Sequence, residues 1–444
     1  MESSFRLDKW VLKIVLMVAC VAITSMFFFP FEFRFWEGMN TKRMLAAVAL
    51  VILLFKMIAK REPLISKDFL YVSLLACVVS FCGLLSVTFN NTPDYTYATY
   101  ITSAWVWWGA AYTACWCIRL VHGKITWVLV INYLTAVCVF QCFIALAMDL
   151  YQPLKDAINS VVLQEDLILP GNIKRLYGIG ATLDVAGTRF AAILVMIMYL
   201  LANSNLKKKW YEYVIYLLAY IFITVAGNMI ARTTLVGTVV GLLYLLFLTL
   251  RQTKYLENNY FKLWQWMGIL LLVTVPAVTY LYQTNAQLRK NLRFGFEGFF
   301  NYVERGDFTY SSGETLSSMI IWPDNTKTWV VGDGYFDNPI DTDPYYTGEI
   351  YGGYYKGTDV GYLRFIFYFG LIGLLVFSWY FIKVGQVCMH KFPQWKVLFF
   401  MLLLVHFIVW AKVSTDIFLV FAMFLCLDKE VEEEPEDELQ LETV

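Results

Sequence analysis

The sequence returns again and again to apolar runs of roughly 17 to 25 residues, the length a helix needs to cross about 30 Å of hydrocarbon. Twelve candidates have approximate cores at 10–30, 44–59, 69–88, 99–121, 125–148, 189–204, 211–227, 233–250, 266–283, 361–382, 397–411 and 414–427. Hydrophobic residues make up 59% of the 444 positions and charged ones 16%, above the roughly 45 to 50% apolar content of soluble domains. The expected fold is an all-α polytopic membrane protein of about twelve transmembrane helices, with a long outer loop that contains short helices.

The first run follows Arg6 and Lys9, is long for a signal-peptide core, and shows no small-residue cleavage site before FFFPFEFRFW. It predicts an uncleaved anchor and a cytoplasmic N-terminus. Basic residues gather at the turns this places inside: KREPLISK (60–67), RLVHGK (119–124), LKKKW (206–210), RQTK (251–254) and HKFPQWK (390–396). An even number of spans puts both termini on that side.

The chain then divides into helices 1 to 5 (1–148), an outer loop carrying Arg175 (149–188), helices 6 to 9 (189–283), a large outer loop (284–360), helices 10 to 12 (361–427) and an acidic cytoplasmic tail (428–444). The tail, DKEVEEEPEDELQLE, reads as a solvated, disordered end.

With 35 basic and 35 acidic side chains the net charge is zero, which leaves no electrostatic footprint for nucleic acid. Of nine cysteines, eight lie within spans and Cys388 falls in an inside loop, so no disulfide framework is expected outside. Cys388 and His390 lack further partners for a metal site.

Nearly all polar sequence beyond short turns lies in the two outer loops, and no repeat of one half in the other is visible, unlike a transporter built from two similar halves. In the larger loop, NAQLRKNLRFGFEGFFNYVERGD (285–307) has the spacing of an amphipathic helix lying along the membrane surface. A second short helix is expected to end at Pro323, before a Gly-rich turn. The stretch DNPIDTDPYYTGEIYGGYYKGTDVG sets tyrosines beside carboxylates, which suits carbohydrate: rings stack on aromatic faces while hydroxyls bond carboxylates. Tyr335, Tyr355 and Tyr362 are the candidate sugar contacts.

Outer arginines run against the usual charge bias, so each needs a reason. Arg232 is the most telling, because GNMIARTTLVG leaves it almost no loop to reach water, and a charge at membrane depth costs about 2.5 to 3.5 kcal/mol on insertion scales. The planar guanidinium matches phosphate oxygens bidentately, so Arg175, Arg232, Arg364, Arg189 and Arg305 are candidates for a diphosphate at the lipid interface.

Asp359 and Glu314 are candidate bases for a sugar hydroxyl, with Asp184, Asp333 and Asp337 after them. No histidine lies in an outer loop. The DTD at 341–343 is on the wrong side for nucleotide sugars, so no metal site is expected.

In this order the features resemble the superfamily of O-antigen polymerases (Wzy-type) and O-antigen ligases, over roughly residues 170–380. RLYGIGATLDVAGTRFAAILV looks like its Arg-Leu-x-Gly segment, which carries a pyrophosphate role onto Arg175; GNMIARTTLVGTVVGLL looks like its Ser-Arg-x-x-Leu span start, which carries a similar role onto Arg232. SSGETLSSMIIWPDNTKTWVVGDGYF and TDVGYLRFIFYFGLIG are similar to its loop helix with a Gly-x-Gly turn and to its final motif.

The resemblance implies a metal-independent glycosyltransferase without cofactor, on the periplasmic face of a bacterial inner membrane. It would join undecaprenyl diphosphate-linked oligosaccharides, among membrane lipids, with a chain-length regulator protein as a partner. Two departures stand out. Ligases commonly have His where Asp359 stands, which favours a polymerase. Many members have Arg where Glu314 stands, which leaves a phosphate contact to Arg305 or Arg364. The rivals are a ligase acting on a lipid A core or protein, and a transporter or flippase.

Overall fold

The protein, seen here as a computed structural model, is described over residues 2–60, 65–164, 168–169, 173–203, 209–251 and 259–428. The acidic tail after Asp428 and most of the basic turns at 60–67, 206–210 and 251–254 lie outside the described residues.

Every apolar run falls on a helix. The first half contributes α1 (Glu2–Phe28), α2 (Thr41–Lys60), α3 (Lys67–Asn90), α4 (Tyr100–His122), α5 (Trp127–Leu150) and a short polar α6 (Gln152–Val161). Then come α7 (Leu183–Ala202), α8 (Trp210–Ile230), α9 (Thr234–Arg251) and α10 (Asn259–Thr284). The large loop carries α11 (Ala286–Gly295), α12 (Glu297–Arg305), α13 (Ser311–Ser318), α14 (Thr326–Val331) and α15 (Pro339–Thr342), and the chain closes with α16 (Gly361–Lys391), α17 (Lys396–Val409) and α18 (Phe418–Leu425).

Eight helices, α1, α3, α5, α7, α8, α9, α10 and α16, are long and apolar enough to cross a membrane by length and composition. Of the other four, α2 holds Lys42, Arg43, Lys56 and Lys60, and α4 is diluted by Trp and Tyr. The last two, α17 and α18, run for only 14 and 8 residues. Two small antiparallel elements interrupt the helices: β2 (Trp36–Asn40), β1 (Glu32–Phe33) and β3 (Val162–Leu163) form a sheet in that order, and β4 (Ile168–Leu169) pairs with β5 (Ile173–Lys174).

The central helix is α7, buried along almost its whole length, whereas α10 is largely uncovered. Glycines let α9 press on α7: a Cβ on Gly237 would lie 2.2 Å from the Ala191 carbonyl oxygen, and one on Gly187 would lie 2.8 Å from Ala231 Cβ. In lipid, where burying apolar surface gives no drive between helices, such backbone approach supplies the packing.

Two departures from regular helix shape the loop-bearing end. At about 1.5 Å per residue a straight α16 would be about 46 Å long, well beyond a bilayer core. It breaks instead at Phe369 (φ −135°) and Gly370 (φ +69°, ψ −174°), separating residues 361–368 from the rest. The carbonyls this frees find new donors: Phe367 O accepts from the Asp333 amide at 2.6 Å, and Tyr368 O from the Gly334 amide at 3.1 Å and the Ser86 hydroxyl at 2.5 Å.

The second departure is the connection between α17 and α18, which is partly buried and anchored at its ends by Trp410 and Ile417. Trp410 is buried with its ring 4.6 Å from Phe365 and 4.4 Å from His406, while Trp410 Nε1 donates to Thr415 O at 2.9 Å and the Tyr362 amide to Trp410 O at 3.1 Å. Protein groups thus satisfy part of the irregular backbone, as is needed wherever such a connection is withdrawn from water.

Two expectations need correction. The amphipathic segment 285–307 is two helices, not one, with Phe296 (φ −114°, ψ 29°) between them. Gly295 there meets the end of α8, where Asn228 Nδ2 donates to its carbonyl at 2.7 Å, and this docking turns the chain. Cys388, expected in a loop, is buried in the last turns of α16; all nine cysteines are free.

Candidate functional site

The site is assembled where α7, α9 and α16 begin and α17 ends. Arg232 occupies the tight turn between α8 and α9, as its sequence context predicted. Its Nη2 lies 2.6 Å from Glu297 Oε2, Nη1 donates to Ser312 Oγ at 2.7 Å, and Nε donates to Phe294 O at 3.0 Å. The large loop therefore folds back onto this arginine through α11, α12 and α13. Burial pushes the Glu297 carboxyl up, but the Ser311 hydroxyl and amide together with Arg232 outweigh it and hold the group below the usual carboxylate range.

Arg175, just after β5, approaches the same place from the other loop. One ring carries both arginines: Phe294 lies 4.4 Å from the Arg232 guanidinium and 5.3 Å from that of Arg175. Arg175 Nε is buried and, among the described residues, meets no acceptor. Burial draws this guanidinium below its ordinary value, Asp184 pulls it back up, and Arg232 adds to the lowering.

Asp184, in the first turn of α7, ties the floor together. Its Oδ1 accepts from Lys412 Nζ at 2.6 Å and from the Thr233 hydroxyl. Lys412 reaches it because α17 stops short at Val409 and a partly buried connection follows.

Asp359 is half-buried at the edge of this group. Burial raises its carboxyl above the usual range, and Asp184 adds to this; Arg364, Lys412 and Arg175 oppose it. Arg364, five residues on, takes a different course. Its guanidinium lies between the rings of Tyr354 at 3.4 Å and Phe336 at 3.7 Å. It also donates to Ser414 Oγ at 2.7 Å, Phe336 O at 3.0 Å and Asp337 Oδ1 at 3.2 Å. Such an enclosed arginine locks the start of α16 to the loop.

Other residues singled out in the sequence lie apart. Arg189 is 6% exposed inside the bundle, donating to Phe28 O at 2.6 Å beside the Phe29 and Trp107 rings. Arg305 and Glu314 are exposed on α12 and α13. Tyr362 turns toward α17, with its hydroxyl on Phe407 O at 2.8 Å. Tyr335 and Tyr355 do meet, at 5.4 Å between rings, and donate to Asp343 and Asp333 respectively. Asp337 pairs with Arg364, while Asp333 accepts from Lys327 and Thr328.

Sequence reasoning did not place Phe294, Glu297, Ser312 or Lys412 in the site. Phe294 and Glu297 sat within an apparent amphipathic pattern, and Lys412 at the end of an apolar run. Only their closeness in space to Arg175, Arg232 and Asp184 reveals them. Compared with protein-family models, with curated proteins and with solved structures, the chain finds no match.

Proposed function

We propose that the protein is a membrane glycosyltransferase of the O-antigen polymerase kind, joining polyprenyl diphosphate-linked oligosaccharides at the outer face of a bacterial inner membrane in a twelve-span arrangement. The observation that carries this reading is the pair Arg175 and Arg232 on one Phe294 ring, with Arg175 Nε meeting no acceptor among the described residues, Lys412 held on Asp184 and Thr233, and Asp359 within electrostatic reach of Arg175 and Lys412. Guanidinium groups suit a diphosphate, and Arg232 stands just before α9, whose start adds partial positive charge.

In the proposed reaction a hydroxyl oxygen of one lipid-linked glycan attacks the anomeric carbon of another. The new glycosidic C–O bond forms as the bond from that carbon to the diphosphate oxygen breaks, and the electron pair leaves with the diphosphate. Asp359 takes the hydroxyl proton. Arg175, Arg232 and Lys412 stabilise the charge on the leaving group, most effectively where water is excluded. Membrane lipids surround the site, and a chain-length regulator is the expected protein partner.

Replacing Arg232 by Ala or Lys in cells and resolving the surface glycan on a gel tests the assignment. The expected result is collapse of the ladder to single repeat units; an unchanged ladder removes Arg232 from the mechanism. Persistence of long chains on the carrier lipid would point to a ligase.

A second reading, a transporter, draws on one observation: a charged group inside the bundle. Lys42 lies 4.4 Å and Arg189 5.6 Å from the Trp107 ring, with Asp416 coupled to both. Consumption of lipid-linked sugar by purified protein without a gradient excludes it.

A further inference from the structure

The large loop and the start of α16 line a half-open cavity of about 440 Å³ that the Arg175 and Arg232 pair does not use. Its size lies in the roughly 300 to 1,000 Å³ range of small-ligand clefts. Trp322, Asp324, Asn325, Asp333, Tyr355 and Lys356 line it.

Trp322 is the unusual member. It is 63% exposed, yet one face is backed by Trp329 at 5.9 Å with the rings only 16° from parallel. Trp329 is itself fixed by its Nε1 donating to Pro323 O at 3.0 Å. An indole stacked on Trp329 and mostly exposed presents a flat apolar surface at the cleft.

The polar groups around it are held in place as well. Asp333 accepts from Lys327 at 3.0 Å and Thr328 at 2.7 Å through one oxygen and from Tyr355 at 3.3 Å through the other. Asn325 caps α14 through the Thr328 amide at 2.8 Å and donates to Asp324 at 2.8 Å. Lys356 lies 5.7 Å from the Tyr355 ring.

We propose that this cavity is a saccharide subsite, in which the C–H face of a pyranose lies on Trp322 and its hydroxyls bond Asp324, Asn325 and Asp333. Asp324 and Asp333 set against Lys356 and Lys327 leave the rim without the excess positive charge that a phosphate or sulfate calls for, and the dense polar rim disfavours a lipid chain. Two carboxylates also fall short of the six or more oxygen ligands a calcium ion takes. A flat apolar face ringed by hydrogen-bonding groups is the complement of a sugar ring.

The cavity lies apart from the Arg175 and Arg232 pair but borders the start of α16. Tyr355 follows Tyr354, whose ring covers Arg364, and Phe367 on the cavity wall is one helical turn from Arg364. Resting on the transferase reading above, the occupant is a sugar of the glycan chain further along than the reacting one.

The test is calorimetric titration of the full-length protein with oligosaccharide released by mild acid from the surface glycan of the cell of origin, a probe free of lipid and diphosphate. Saturable binding is expected in the wild type and in Arg232→Ala. Trp322→Ala should weaken it about tenfold or more, with partial recovery in Trp322→Phe, and both variants should melt like the wild type. Equal affinity in a folded Trp322→Ala protein, or no saturable binding by the wild type, overturns the subsite. A wild type that elongates lipid-linked glycan but binds no free oligosaccharide loses the subsite and keeps the transferase reading. A wild type that binds oligosaccharide through Trp322 but transfers nothing keeps the subsite and loses the transferase.

Discussion

Asp359, the base of the proposed reaction, has its proton affinity set by its surroundings. Burial and Asp184 keep its proton on above the usual carboxylate range of about 3.9, so it can act as a base only at higher pH than an exposed aspartate. Turnover per unit substrate should therefore fall on acidification through a value above about 3.9, and Asp359→Asn should lower turnover about 100-fold or more and remove that limb. A carboxyl raised by folding favours the folded chain at low pH and loses that contribution as pH rises through the folded value. Asp359→Asn should accordingly melt no lower than the wild type at pH 7, which separates a chemical role from a structural one. The sequence singled out Asp359 and Arg232 because each is charged at the edge of an apolar run. It hid Lys412, whose partner Asp184 lies far away in the chain, and it placed Arg364 beside a ligand where the structure encloses it between two aromatic rings.

Among elements, the break in α16 decides how the loop meets the helices. Gly370 has φ +69°, and a Cβ there would lie 2.1 Å from Val330 O, so Gly370→Ala is strained in backbone and in packing alike. A loss of about 1 to 3 kcal/mol is expected, read as a lower melting temperature in detergent, with the α14 side of the loop the first to become protease-sensitive. An unchanged melt would mean that α14 does not depend on the break. Sequence periodicity located this helix but read it as one span from 361, because nothing in FYFGLIG separates a packing glycine from one with positive φ. The same limit applies to α17 and α18. Hydropathy found two apolar runs, but not that the chain between α17 and α18 leaves the helix to deliver Lys412 to Asp184 and Ser414 to Arg364.

For the whole molecule, the apolar rhythm of the chain was sufficient to predict a helical membrane protein, and eight helices meet the length and composition for crossing. Which face the large loop occupies follows from the distribution of basic residues and belongs to the proposal. Tyr345, 89% exposed in that loop, offers a direct check. With the native cysteines replaced, Tyr345→Cys should react with a membrane-impermeant maleimide in cells whose outer membrane has been permeabilised; labelling only after lysis would invert the topology.

The account as a whole stands on the chemistry at the loop-bearing end. The decisive measurement incubates purified protein in lipid with a synthetic polyprenyl diphosphate oligosaccharide, without metal or gradient, and reads product length by mass spectrometry. The account predicts products longer by whole repeat units with release of polyprenyl diphosphate, both lost in Arg232→Ala. Recovery of the substrate unchanged, or equal elongation by wild type and Arg232→Ala, would contradict it.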